Sequence, residues 1–453
     1  MLLIIVTYGW TVFFSFSYLD DNVLILDSMP FLKNLGNIPR AFTTDAFYAL
    51  HGPQAYYRPI LTLSFMFDAV FSGTNPFFFH LTNIIYHLLA TILVYIFLRK
   101  ISISEKLSFF FAAVFAVHPV LAQAVAWIPG RNDSLLTIFV LLAFIYFDKF
   151  WLHLLFFTLA LFTKESAIFI LPLILFYRLF VRKIKLANSS ILWFFSWGII
   201  VSLWLVLRRV AFTNPIKYSL PSIAKSLFDS LPAVLLFLGK ILIPVKLSVL
   251  PTLVDSNLTL GIISFAVLML LLLLSKNKNN RLVLFGTIWF LIFLLPSFIR
   301  PDPNYPADFL EHRVYLSMAG FFIVFSQINL IKLNQIAGGA IIGILMMINF
   351  FHLPVFKDGM SFWKNAVATS PSHPLAHKNL GSMYLLNGNY SKAEAEYQKA
   401  LSINPQETMV HNNLGVIYMN QGNKAKAEEE FKQELSINPN YDKALNNLEN
   451  LLK

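Results

Sequence analysis

Residues 335–353 read QIAGGAIIGILMMINFFHL, and residues 356–373 read FKDGMSFWKNAVATSPSH. The first stretch is apolar almost throughout and long enough to cross a bilayer, whereas the second is polar, charged and helix-forming. The chain therefore divides near Phe356, with an integral-membrane part over 1–355 and a water-soluble part over 356–453. Past the boundary, Leu380-Gly381, Tyr384, Ala393, Tyr397 and Pro405 recur as Leu414-Gly415, Tyr418, Ala427, Phe431 and Pro439, each pair 34 residues apart. Gly and Ala let two helices approach closely, the aromatics fill the gap between them, and Pro ends the second helix. One position breaks the match, since Ala400 is answered by Glu434.

This period and pattern define tetratricopeptide repeats (TPRs). The expected module holds a partial repeat over 356–373, carried by Trp363, Ala366 and Pro371, then repeats over 374–407 and 408–441 and a cap helix over 442–453. Stacked repeats bury a shared core and leave a concave face suited to a protein or peptide partner.

Upstream of the boundary, apolar runs lie at 2–18, 77–98, 107–127, 133–147, 151–162, 166–181, 189–207, 258–274, 282–299, 314–331 and 335–353. They predict an all-α, polytopic architecture of about eleven transmembrane helices. A further stretch, 228–249, is interrupted by Pro232, Lys240, Pro244 and Lys246 and is expected to be bent or re-entrant. Basic clusters at Arg99-Lys100 with Lys106, at Arg178, Arg182, Lys183 and Lys185, and at Lys276, Lys278 and Arg281 mark cytoplasmic loops. With a cytoplasmic N-terminus and no crossing at 228–249, all three clusters fall inside. The loop 19–75 and the TPR module then fall outside. The N-terminal run has neither a basic n-region nor a small-x-small cleavage site, so it is expected to be a retained first span, with the true start either here or upstream.

Composition agrees. The chain is 57% hydrophobic and only 13% charged, with 46 phenylalanines, against about 25% charged residues in soluble domains. The net charge of +11 reads as basic loops that set orientation and not as a nucleic-acid surface. With no cysteine, thiolate chemistry and Cys-ligated metals are excluded. There is no phosphate-binding P-loop, dinucleotide glycine fingerprint or HExxH motif, which leaves ATP-driven transport and zinc proteolysis without support.

Charged residues kept beside a membrane core are candidate functional groups. Asp20-Asp21 follow the first apolar run and suit a general base, a divalent-cation site or a simple helix cap. Further candidates are Arg58, His80, His118, Arg131, Asp133, Lys164, Glu165, Glu311, His312 and Arg313. His80, Asn83 and His87 share one helical face, where helix–helix hydrogen bonding is the commoner use. In the expected topology all these groups lie near one membrane face. There two carboxylates and several cations would hold a lipid phosphate while activating a hydroxyl.

The series Tyr57-Arg58-Pro59, Asn75-Pro76, His80-Leu81-Thr82-Asn83, His118-Pro119-Val120, Ala126-Trp127-Ile128, Gly130-Arg131, Lys164-Glu165, His312-Arg313 and Tyr315-Leu316, ending in TPRs, resembles the transmembrane-and-TPR O-mannosyltransferases. The resemblance covers nearly the whole chain. It implies a GT-C glycosyltransferase that takes a sugar, mannose in the eukaryotic members, from a polyprenyl-phosphate donor. The acceptor would be a hydroxyl on protein at the exterior or luminal face. It implies a catalytic role for Asp20 and Asp21, with one activating the acceptor hydroxyl, and donor-phosphate contacts from Arg131, Lys164, His312 and Arg313. Arg58, His80, His118, Asp133, Glu165 and Glu311 are further candidates, and this chemistry does not require a metal or other cofactor.

The family often shows His and Glu where this chain has Leu121 and Gln123, and the TPR array is short beside the eukaryotic members. Lys- and Asn-rich usage leans towards a bacterial inner membrane with the TPRs periplasmic; a eukaryotic host would place them in the endoplasmic reticulum lumen. The alternative is a catalytically inactive, membrane-anchored TPR scaffold.

Overall fold

The computed structural model describes residues 1–50, 55–185, 190–216, 219–299, 308–330 and 334–453. Parts of the expected loop 19–75, and the ends of the expected runs at 189 and 331, fall outside them. Among the described residues the fold is all-α, with one isolated bridge, Thr252 to Asp308, and no strand. The chain is a multi-pass helical membrane protein with a C-terminal helical-repeat module.

Six described helices are long and apolar enough to cross a membrane: Pro76–Lys100, Ile128–Ile145, Ile191–Ala211, Leu220–Leu242, Asn280–Phe298 and Gln335–Phe356. Glu105–Val117 and Pro119–Ala126 make a seventh if their 53° bend is counted within one span. The expected eleven is therefore not confirmed among the described residues, where several apolar runs form short helices. Leu2–Phe13, Phe150–Thr163 and Thr259–Leu274 are too short to meet the same test, and a helix rising 1.5 Å per residue needs about 20 residues to cross about 30 Å of hydrocarbon. The run 314–331 yields only Met318–Phe325 as α-helix. Conversely, the stretch expected to be re-entrant belongs to Leu220–Leu242, where Pro232 caps the second of two nearly continuous helices. The charge-parity argument for the side of the TPR module required that segment not to cross, and so loses its basis. Within the expected loop 19–75 lies a further apolar helix, Pro59–Ser72.

His118 explains the bend in its helix. Its Nδ1 accepts from the Val120 amide at 3.2 Å and its Nε2 lies 2.9 Å from the Ile241 carbonyl. It therefore caps the turn that Pro119 begins.

The TPR helices run Pro374–Leu386, Tyr390–Ile403, Val410–Asn420 and Lys424–Ile437, closed by Asp442–Leu452. Tyr397 and Phe431 are fully buried between their helix pairs. A Cβ added at Gly415 would stand 2.5 Å from the Phe431 ring, so the helix crossing admits only glycine there. Gly415→Val is expected to lower the module's stability by about 1–3 kcal/mol through overpacking, read as earlier proteolysis within 374–453 of the full-length protein. The mismatched Glu434 is a cap: fully buried, it accepts from the amides of Met409 at 2.7 Å and Asn412 at 3.3 Å. A carboxylate there serves the amide-rich start of Val410–Asn420.

The core does not stop at Phe356. Phe356, Phe362, Trp363, Ala366, Leu380 and Met383 belong to the same apolar cluster as the membrane helices, whereas Tyr397, Leu414 and Phe431 form a separate one.

Candidate active site

Two turns and three helix ends converge on one open cavity of about 390 Å³. Asp20 enters from the turn after the first helix, and Arg58 from the start of Pro59–Ser72. Asp133 lies in the first turn of Arg131–Ile145, with Lys164 and Glu165 at the end of Phe150–Thr163. His312 and Arg313 enter from the turn Glu311–Val314. Leu136, Phe293 and Leu316 supply an apolar wall.

Every cation in this group is matched to an acid. Arg58 NH2 lies 3.3 Å from Glu165 Oε1, Lys164 Nζ 2.7 Å from Asp133 Oδ1, and Arg313 NH1 2.5 Å from Asp308 Oδ1. His312 Nε2 is 3.7 Å from Asp133 Oδ2. The Arg58 guanidinium also stacks 4.5 Å from the Tyr56 ring centroid. These pairs fix the direction of each cation, and an arginine with five N–H donors keeps capacity for a second anion.

Asp45, on the same cavity, is held by backbone amides, and among the described residues no cation lies within ion-pair distance of Asp20. Burial, with the charge of Asp21 beside it, pushes its carboxyl up to about 7, and Arg58 opposes the shift. Burial also raises Glu165, but Arg58 and Lys164 outweigh it and hold that carboxyl below its ordinary range. Burial pushes His312 down to about 3 against the pull of Asp133. His312 is thus a neutral imidazole at pH 7, able to hydrogen-bond but not to supply a positive charge.

Other candidates lie elsewhere. Asp21 is buried and faces the backbone: its Oδ2 accepts from the Ser17 amide at 2.5 Å, the Ser17 hydroxyl at 2.6 Å and the Tyr18 amide at 3.1 Å. It caps the turn that carries Asp20, which corrects the expectation that either acid could face the acceptor. Arg131, expected at the donor phosphate, is fully buried away from the cavity. It pairs with Asp68 at 2.5 Å and donates to Asn83 Oδ1 at 2.8 Å and the Phe79 carbonyl at 2.7 Å. Glu311 is buried in an ion pair with Lys240 and accepts from the Ser248 amide at 2.8 Å. His80 is buried against Phe14, and His118 caps its bend. Sequence reasoning passed over Asp45 and Asp308, which line the cavity from loops, as does Tyr56 beside Arg58. Asp45 accepts from the amides of Phe47 and Tyr56 at 2.7 and 2.9 Å. Among the described residues no three His, Asp or Glu side chains gather closely enough to hold a metal ion.

Comparison with known proteins agrees with the motifs. The family model described as TPR repeat matches residues 381–422, and that described as Tetratricopeptide repeat matches 409–441. The chain is 35% identical over 158 residues to "Protein O-mannosyl-transferase TMTC1" of Mus musculus, covering 30% of this chain and 17% of that protein. It is 36% identical over 154 residues to its Homo sapiens counterpart, covering 30% and 18%. It is 31% identical over 131 residues to "Protein O-mannosyl-transferase TMTC2" of Homo sapiens, covering 27% and 16%. These relatives carry the family name that the motifs suggested, and the matched segments span less than a fifth of their length. A solved structure titled "Crystal structure of APC/C hetero-tetramer Cut9-Hcn1" aligns over 87% of this chain and 90% of that one at 13% identity, with a TM-score of 0.23, too low to support any argument.

Proposed function

We propose that this protein is a membrane glycosyltransferase of the GT-C type. It moves a sugar, mannose by likeness to its relatives' names, from a polyprenyl-phosphate carrier to a hydroxyl on an acceptor protein at the non-cytosolic face. The observation that supports this reading is the single cavity in which Asp20, raised to about 7, shares a wall with Arg58, Lys164 and Arg313.

A base works best when its pKa lies near the working pH. Deprotonated Asp20 takes the acceptor's hydroxyl proton as that oxygen bonds to the sugar's anomeric carbon. The carbon–oxygen bond to the carrier phosphate breaks, and the electron pair leaves with the phosphate. Lys164 and Arg313 stabilise the charge that grows on it. The apolar wall beside them suits the sugar's carrier lipid, and the TPR face takes the acceptor polypeptide.

The test is reconstitution of the full-length protein in vesicles containing mannosyl-phosphoryl-polyprenol, with envelope proteins as acceptors and mass spectrometry of the products. New hexose on Ser or Thr is the expected result. No transfer from this donor, while the TPR face still retains a bound protein, would replace the enzyme by a scaffold.

A further inference from the structure

We infer that the helix Gly359–Thr369 is a working part of the candidate site, and that Asn365 and Thr369 are positioning residues for the turn bearing His312 and Arg313. This deepens the transferase reading and rests on it. The usual expectation for repeats at the end of an enzyme is acceptor capture alone. Two sets of contacts give this helix a second task.

The first set meets the acid turn. The Ser15 amide donates to the Lys357 carbonyl at 2.8 Å, just before the helix. At Gly359 an added Cβ would lie 2.7 Å from the Met383 sulfur, 3.0 Å from the Tyr18 ring and 3.2 Å from the Ser17 carbonyl. Tyr18 stands at φ 58°, a conformation costly for a side-chain-bearing residue. It is held there by Gly359 on one side and Asp21 on the other, and it directly precedes the cavity's Asp20 and the capping Asp21.

The second set meets the cation turn. The Ser248 hydroxyl and the Thr369 hydroxyl are 2.5 Å apart. Thr369 donates its own proton to the Asn365 carbonyl at 2.8 Å, so Ser248 is the donor between the two hydroxyls. Val249 is gripped from both domains: its amide donates to Asn365 Oδ1 at 3.1 Å, and its carbonyl accepts from Gln123 Nε2 at 2.9 Å. The same loop, through the Ser248 amide, anchors Glu311 at 2.8 Å, with Lys240 closing the ion pair. His312 and Arg313 follow directly. One helix thus braces both walls of the cavity, and misplacing a reacting group by about 1 Å can cost about 100-fold in rate.

The experiment uses the full-length protein with Thr369→Val, Thr369→Ser and Gly359→Ala. Hydrogen–deuterium exchange is followed over 15–24 and 308–316, alongside transfer from mannosyl-phosphoryl-polyprenol to a Ser/Thr pentapeptide too short to span the repeats. Thr369→Val is expected to raise exchange at 308–316 at least threefold and lower kcat about 10-fold, with the peptide KM unchanged. Thr369→Ser should restore both. Gly359→Ala should raise exchange at 15–24. Wild-type exchange at both segments in Thr369→Val and Gly359→Ala would overturn the inference, as would a loss confined to peptide KM. If the wild-type protein transfers nothing, the transferase reading fails and exchange alone decides the bracing.

Discussion

Asp20→Asn is expected to cut transfer by about 10²–10⁴-fold, the usual contribution of a positioned general base, while leaving the protein folded and at least as stable as the wild type. Two observations carry the combination. Asp20 lines the cavity that Arg313 and Lys164 share, and burial with its acidic neighbour raises its carboxyl to about 7. A carboxyl raised in the folded state binds protons more tightly there than in the unfolded chain. Its contribution to stability is complete below the unfolded value of about 4 and is lost as pH climbs through about 7. Asparagine cannot ionise and removes that loss, so the variant should melt at an equal or higher temperature above pH 7. The wild-type rate should climb as pH rises towards 7 and level off above it, because only the ionised form accepts a proton. A pH–rate profile flat between pH 5 and 8, or an Asp20→Asn protein that keeps its activity, would remove Asp20 from the chemistry. Asp21→Asn should behave differently. Asp21 accepts three hydrogen bonds from Ser17 and Tyr18, so its loss should lower thermal stability as well as rate.

The contrast between these adjacent acids shows what a sequence can carry. The TPR module was legible because its constraints are periodic: glycine faces an aromatic ring at the same register in each repeat. The division at Phe356 was legible in composition, but the sharing of one core across it was not, since Trp363 joins the cluster of the membrane helices only in three dimensions. The expected number of spans is not confirmed among the described residues, because an apolar run shows hydropathy and not helix continuity, which His118-Pro119 and the turn Glu165–Phe169 interrupt. At the cavity, charge beside a membrane marked Asp20, Arg58, Asp133, Lys164, Glu165, His312 and Arg313 as candidates, and the structure brings them together. It marked Arg131 and Glu311 equally, because residue type does not reveal a partner. Those partners, Asp68 and Lys240, sit in segments read as loop and as a re-entrant stretch. Asp45 and Asp308 were missed for the opposite reason: they stand in loops where a lone aspartate is ordinary.

Arg131→Ala is the sharpest test of that distinction, and its expected effect is on folding instead of donor binding. The guanidinium and its Asp68 partner are both fully buried. Around them Thr82 donates to Asp68 at 2.6 Å, and Phe65 and Phe79 stack on the arginine at 4.7 and 5.7 Å. Removing one member of a buried pair leaves an uncompensated charge and costs about 3–5 kcal/mol, a large part of a typical domain's stability of about 5–15 kcal/mol. Arg131→Ala should therefore deplete folded protein from membrane extracts and lower the melting temperature of what remains. Replacing both partners, Asp68→Leu with Arg131→Met, should recover much of the loss, because two apolar side chains leave no charge unpaired. Lys164→Ala gives a mixed pattern: Lys164 is at the cavity and partly exposed, but it pairs with the buried Asp133, so its loss should weaken transfer and also lower the melting temperature, by less than Arg131→Ala does. If Arg131→Ala melted like the wild type and failed only to bind mannosyl-phosphoryl-polyprenol, the arginine would return to the phosphate site and the buried pair would lose its structural role.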